Sequence, residues 1–239
     1  MNKSKVLVIL ALLLYILSVI FQLRSEDIIA NALKSIILPV VTVLYFVTVN
    51  KKSLFFTLFL VLFSLSELMI FIAPYISHDF YYYVANGLYI LAYAFLTIEV
   101  LKSISLSYSL KNYTIHILIL TILNIYIIYV LQGIIAPYVV DANEYYFELA
   151  YNIIMLILLS VTLINYFYRD NVKALYLFLG SLCIVFGEVI WVAYTYITAR
   201  NFLQVISTTL FLFSVYFFYK QSKIEPDRVK WEEEKMYLD

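Results

Sequence analysis

The hydrophobic pattern of the chain is one of long apolar runs broken by short polar gaps. A helix crossing the hydrocarbon core of a membrane needs about 20 mostly apolar residues. Eight runs meet or approach that length, at about 5–23, 32–49, 53–73, 80–102, 112–133, 146–168, 172–196 and 202–219. Each is read as a membrane-spanning helix. The gaps carry the polar and helix-breaking residues, as in APYISHD at 73–79 and APYVVDANE at 136–144. None is long enough for a soluble domain. The expected fold class is therefore all-α: a polytopic membrane protein with eight transmembrane helices in one bundle over 1–219, then a charged tail at 220–239.

The first run begins MNKSKVLVILALLLYILSV, a basic start and apolar stretch of the kind signal peptides have. Its apolar part, Val6 to Leu23, is long for a signal, and no A-x-A cleavage site follows, so it is read as a retained helix. Charge then orients the bundle. Lys3, Lys5, Lys51, Lys52, Lys102, Lys111, Arg169, Lys173 and the five basic residues of the tail fall on one side. Arg24, Lys34 and Arg200 fall on the other, together with Glu26, Asp27, Asp79, Asp141, Glu144 and Glu148. Lys and Arg are retained on the cytoplasmic side, so both termini are expected there. The tail is read as solvated, or as a short surface helix that touches lipid through Trp231.

Composition supports the same class. The chain of 239 residues is 64% hydrophobic and 13% charged, outside the range of soluble domains. Its formal net charge of zero offers nothing to a nucleic acid. The one cysteine, Cys183, lies in an apolar run and provides neither a disulfide framework nor a cysteine metal site. No P-loop, dinucleotide glycines, nucleophile motif or His/Cys cluster is present, so no metal and no cofactor are expected.

Against this apolar background two carboxylates stand out: Glu67 in FSLSELMIFI and Glu188 in CIVFGEVIW. At 1.5 Å per residue they lie roughly 9 and 12 Å below the outer ends of their spans. Lys34 on span two, Asn86 and Tyr89 on span four, and Glu148, Tyr151 and Asn152 on span six reach similar depths. A charge at the centre of a membrane helix costs roughly 2.5–3.5 kcal/mol on insertion scales, so these groups should face the bundle interior or a water-filled cavity. Ser64, Ser66, Ser181 and Gly187 leave room around the two glutamates. One reading is a buried Lys34–glutamate ion pair with the other glutamate held by a serine, tying helices together. The other is an outer-half cavity in which one carboxyl serves as acid and the other as base. The inner half offers less: Glu99, expected to pair with Lys102; His116, expected at the interface; and Asn124, expected to bond a neighbouring helix.

The segments LFSLSELMIFI, NGLYILAYAF, AYNIIMLIL and GSLCIVFGEVIW, with the lysine of ALKSIILP, resemble motif segments of the YhhN family, the eight-span lysoplasmalogenase-like group. The family has aspartates where Glu67 and Glu188 stand, a histidine in span four where Tyr93 to Phe95 run, and polar residues in span eight where TTLFLFSVYFFY is found. The resemblance implies hydrolysis of the vinyl ether bond of a lysoplasmalogen in a bacterial inner or plasma membrane. Glu67 and Glu188 would be catalytic, Lys34 would bind the substrate phosphate, and Asn86, Tyr89, Tyr151 and Asn152 would line the substrate site. The partner would be a membrane lipid or lysophospholipid. The alternatives are a non-catalytic lipid-binding or structural membrane protein and, with no polar path continuing inward, less favourably a proton-coupled transporter.

Overall fold

The computed structural model describes residues 3–139 and 141–225. Its described residues form nine α-helices and no strand: α1 Lys3–Leu23, α2 Asp27–Thr48, α3 Leu54–Leu68, α4 His78–Leu101, α5 Leu106–Asn112, α6 Thr114–Ile135, α7 Ala142–Arg169, α8 Val172–Tyr196 and α9 Asn201–Ser222. All but α5 are long and apolar enough to cross a membrane. The reason is backbone chemistry: only a helix or a closed barrel pairs its own N–H and C=O groups where no water can. The expected spans and these helices agree to within a few residues at most ends. Span two begins five residues earlier, and α9 runs three residues past 219. The tail beyond Glu225, including Trp231, lies outside the described residues.

Side-chain chemistry explains several ends. Ser77, Asp141 and Asn171 each turn a side-chain oxygen onto a backbone N–H of the helix that follows, capping α4, α7 and α8. Pro74 and Pro137 sit in short 3₁₀ turns, Ala73–Tyr75 and Ala136–Tyr138, where a missing N–H is tolerated. Asp170 takes a left-handed conformation, φ 44°, which lets α7 and α8 meet across a two-residue turn. Span three is the exception to a straight reading. Its α-helix stops at Leu68 and tightens into a 3₁₀ turn at Met69–Phe71, so Glu67 lies in the last α-turn.

The packing is a ring. Taken in order, α2, α3, α4, α7, α8 and α9 each pack against the next, and α9 closes on α2. Helix α1 lies outside, against α2 and α9, bound through Gln22 Nε2 to Thr208 Oγ1 (2.7 Å) and by a hydroxyl pair between Tyr15 and Thr209 (2.9 Å). Helix α6 lies outside α7 and is the least buried of the eight. Asn124 ties it to α7 by donating to Ser160 Oγ (2.8 Å), the helix–helix bond expected of that residue. The ring interior is filled by large side chains. Phe59, Leu96, Met155, Leu156 and Phe218 are all below 2% exposed, and Phe59 meets Phe218 edge-on at 5.2 Å.

Polar contacts fix which ends lie together. At one end Lys51 pairs with Glu225, Ser53 bonds Glu99, and Arg169 donates to the Ser103 carbonyl. At the other, Tyr194 bonds Asp27, Asn201 bonds Ser25 and Tyr82 bonds Glu148. The first is the basic end and the second the acidic end, in the order the alternation of spans requires.

Candidate functional site: two carboxylates inside the helix ring

Each of the six ring helices contributes a side chain to one cluster in the acidic-end half of the bundle. On α3, Glu67 is 8% exposed and accepts a hydrogen bond from Tyr89 of α4 at 2.8 Å. Tyr89 sits edge-on to Phe63 (5.1 Å) and Tyr151 of α7 (6.2 Å between centroids). Tyr151 is the hydroxyl neighbour of Glu188 on α8. Lys34 of α2 and Glu67 lie near enough to Glu188 to act on its charge. Lys34 Nζ lies over the rings of Trp191 of α8 (5.2 Å) and Phe211 of α9 (5.1 Å). Both glutamates thus face the ring interior, and a line of tyrosines joins them.

The floor of the cluster is aromatic. Phe63, one turn from Glu67 toward the basic end, meets Tyr93 at 5.7 Å and Phe211 at 6.0 Å, and Tyr93 meets Tyr151 at 5.8 Å. Phe63, Tyr93 and Phe211, all buried, fill the ring below the carboxylates. The fully buried Tyr93 hydroxyl lies beside that of Tyr151, whereas the buried Asn152 amide nitrogen has no hydrogen-bond partner among the described residues. Buried polar atoms are satisfied in the great majority of cases, so the Asn152 amide marks a place for a bound polar group or water. Tyr93, Trp191 and Phe211 are the members that hydropathy did not single out. Helical spacing was the signal available: Tyr93 is four residues from Tyr89, and Trp191 three from Glu188.

Several local expectations are corrected. The serines do not serve the carboxylates: Ser64 pairs with Thr42 (2.8 Å), Ser66 donates to the Ala85 carbonyl (2.7 Å) and Ser181 to Leu177 (3.0 Å). Gly187, expected to leave room for Glu188, lies against α9, where an added Cβ would meet Leu210 and Ser207 at ordinary contact distance. Lys34 makes no ion pair within 4 Å; its ammonium rests on aromatic faces, where the ring quadrupole attracts it. Asn86 is half-buried and makes no side-chain hydrogen bond among the described residues, so nothing draws it to the carboxylates. Glu148 is taken up by Tyr82 at 2.7 Å.

The basic-end half is also less bare than its hydropathy suggests. Glu99 does not pair with Lys102. It accepts from Ser53 at 2.5 Å, while Lys102 Nζ lies 3.7 Å above the Phe55 ring. Tyr45 pairs with Thr57 (3.1 Å), and a polar pocket opens between α4, α7, α8 and α9. His116 is exposed and packs on Tyr113 and Phe167, as an interfacial ring would. On the acidic-end surface the fold brings His78, Asp79 and Glu144 within ligand distance of one another, a grouping that sequence spacing could not show. All three are accessible to solvent, and surface groups of this kind are common without an ion.

No protein-family model, no curated protein and no solved structure matches the chain. The resemblance to the YhhN family therefore rests on its motif residues alone.

Proposed function

We propose that the chain is a YhhN-like hydrolase of a bacterial inner or plasma membrane, cleaving the vinyl ether bond of a lysoplasmalogen-type lipid. What supports this reading is that Glu67 and Glu188 both lie on the ring interior, with Tyr89 on Glu67, Tyr151 beside Glu188, the two tyrosine rings in contact, and Lys34 nearby. With one proton on the pair, the three groups are together neutral. That is the low-cost state for charges removed from water, and it leaves one carboxyl to donate and one carboxylate to accept.

The chemistry balances with these groups alone. The protonated carboxyl delivers its proton to the vinyl carbon β to the ether oxygen, and the α-carbon, bonded to that oxygen, becomes an oxocarbenium. Water adds to that carbon and passes a proton to the other carboxylate, giving a hemiacetal. The hemiacetal C–O bond to the glycerol oxygen then breaks. The leaving oxygen takes the proton from the second carboxyl, and the hemiacetal hydroxyl returns one to the first. Aldehyde and glycerophospho-alcohol leave, and both glutamates regain their starting states. Two carboxyls flanking an oxocarbenium are the arrangement glycosidases use on a related cation. Lys34, near the acidic end, supplies a charge for the lipid phosphate, and the aromatic floor fills the far side.

The test is aldehyde release from a lysoplasmalogen by the purified protein in detergent, beside Glu67→Gln and Glu188→Gln. Activity in the wild type, lost in both variants while each stays folded, supports the hydrolase. A second reading, a non-catalytic interhelical clamp, draws on the Tyr89–Glu67 bond at 2.8 Å. It is supported by an inactive wild type whose unfolding temperature falls in either variant.

A further inference from the structure

The basic end of the bundle holds a pocket of about 480 Å3, opposite in depth to the carboxylate cluster and unused by it. It lies where the ends of α4, α7 and α9 meet the start of α8. Its charged lining is mostly cationic: Lys102, Arg169 and Lys173 face the carboxylate of Glu99. Glu225 at the rim is taken up on its outer side by Lys51, at 3.4 Å. Arg169 is 8% exposed, held by two guanidinium donors on the Ser103 carbonyl. Lys173 Nζ donates to the backbone carbonyl of Ile224 at 3.0 Å, a neutral acceptor that a stronger one can displace.

Two further side chains point to a ligand. Gln221 lines the pocket, is 4% exposed, and makes no side-chain hydrogen bond among the described residues. Asn165, 2% exposed, lines the same pocket, uses its carbonyl oxygen to accept from Ser103, and its amide N–H donors have no partner among the described residues. Donors from Asn165 and Gln221 and the ammonium groups of Lys102 and Lys173 together match an anion with several acceptor oxygens. Glu99 on the pocket wall is engaged by Ser53, which donates to it at 2.5 Å. The start of α8, on the pocket wall, adds its positive dipole end.

The geometry points to a binding site for a phosphate group at the basic end, carried by an anionic lipid of that leaflet or free in solution. The pocket sits at the depth of lipid headgroups, where basic clefts between membrane helices take anionic heads. In the same half, between the end of α4 and helices α5, α6 and α7, runs an apolar groove of about 220 Å3 lined by Leu101, Ile104, Ile117, Leu120 and Ile164, suited to an acyl chain.

The experiment compares wild type, Lys173→Gln, Lys102→Gln/Lys173→Gln, Gln221→Leu and, as a control at the same end but outside the pocket, Lys111→Gln. Each protein is reconstituted in phosphatidylcholine with and without phosphatidylglycerol. Lipid retained after extraction is measured by native mass spectrometry, and thermal stability is measured in parallel. A separate arm adds inorganic phosphate to the protein in neutral detergent. A juxtamembrane lysine contributes about 1 kcal/mol to anionic-lipid binding, which is about a fivefold loss of retention per pocket lysine. The expected result is that loss in Lys173→Gln, a larger one in the double variant, a loss in Gln221→Leu and none in Lys111→Gln. Stabilisation by phosphatidylglycerol alone identifies a lipid headgroup. Stabilisation by inorganic phosphate, lost in the double variant, identifies a soluble ligand. Equal losses in Lys111→Gln and Lys173→Gln, or no effect of either anion on the wild type, would overturn the site.

Discussion

Tyr89→Phe removes one oxygen from the centre of the candidate site and leaves the ring where it was. The contacts of that ring with Phe63 at 5.1 Å and Tyr151 at 6.2 Å depend on its faces and edges, so they survive the change. What is lost is the 2.8 Å hydrogen bond to Glu67, whose carboxyl is only 8% exposed. Neutral interhelical hydrogen bonds in membranes average about 0.6 kcal/mol and reach about 1.7, whereas hydrogen bonds to charged groups contribute about 1.5–3 kcal/mol. With Glu67 as the carboxylate of the proposed acid–base pair, the bond belongs to the second class, so Tyr89→Phe should cost about 1.5–2 kcal/mol. Replacing Glu67 by Gln keeps an acceptor but removes the charge. In that background the same Tyr→Phe change should cost about 0.6 kcal/mol, the neutral value. Reversible unfolding in mixed micelles, followed by circular dichroism across the four proteins of the cycle, reads the difference directly. A cost below about 0.5 kcal/mol that is the same in both backgrounds would show that Tyr89 does not hold an ionised carboxylate. The picture of a clamped, charged Glu67 would then be wrong.

Other substitutions follow from the packing. A Cβ at position 180 would stand 2.7 Å from Phe218 Cε1, and Phe218 is 1% exposed against Phe59, so Gly180→Ala should cost about 1–3 kcal/mol. Gly187→Ala meets only ordinary contacts at 3.6 and 3.7 Å and should be neutral or stabilising by up to about 1 kcal/mol from helix propensity. Thermal unfolding of the two variants side by side checks the contrast. Asn124→Ala cuts the bond that holds the peripheral α6 to α7 and should lower stability by about 0.6–1.7 kcal/mol; an equal loss from Ser160→Ala, with no further loss in the double variant, would confirm the partner. Arg169→Lys gives up the fork on the Ser103 carbonyl that one ammonium cannot replace, and should cost about 1–3 kcal/mol in the same unfolding assay.

The number of spans, their alternation and the separation of a basic from an acidic end were legible in the chain itself. Each is a property of consecutive residues in lipid: an apolar run must become a helix because its backbone has no other partner there. The depth of Glu67 and Glu188 followed from the same count, and so did the expectation that both face inward. Partners were not legible, because they depend on which helices become neighbours. Nothing local says that α4 skips α6 to pack on α7, that α9 closes the ring on α2, or that α1 and α6 stay outside. Those adjacencies give Glu67 a tyrosine rather than a serine, and set the Lys34 ammonium over Trp191 and Phe211 rather than against a carboxylate. They also fill the notch at Gly180 with Phe218 and bring Asn165, Arg169, Lys173 and Gln221 from three helices around one pocket at the basic end. Hydropathy measures how each residue partitions between water and lipid. Which groups then meet inside the bundle is decided by side-chain shape and by the need to pair buried polar atoms, and both are properties of the packed helices.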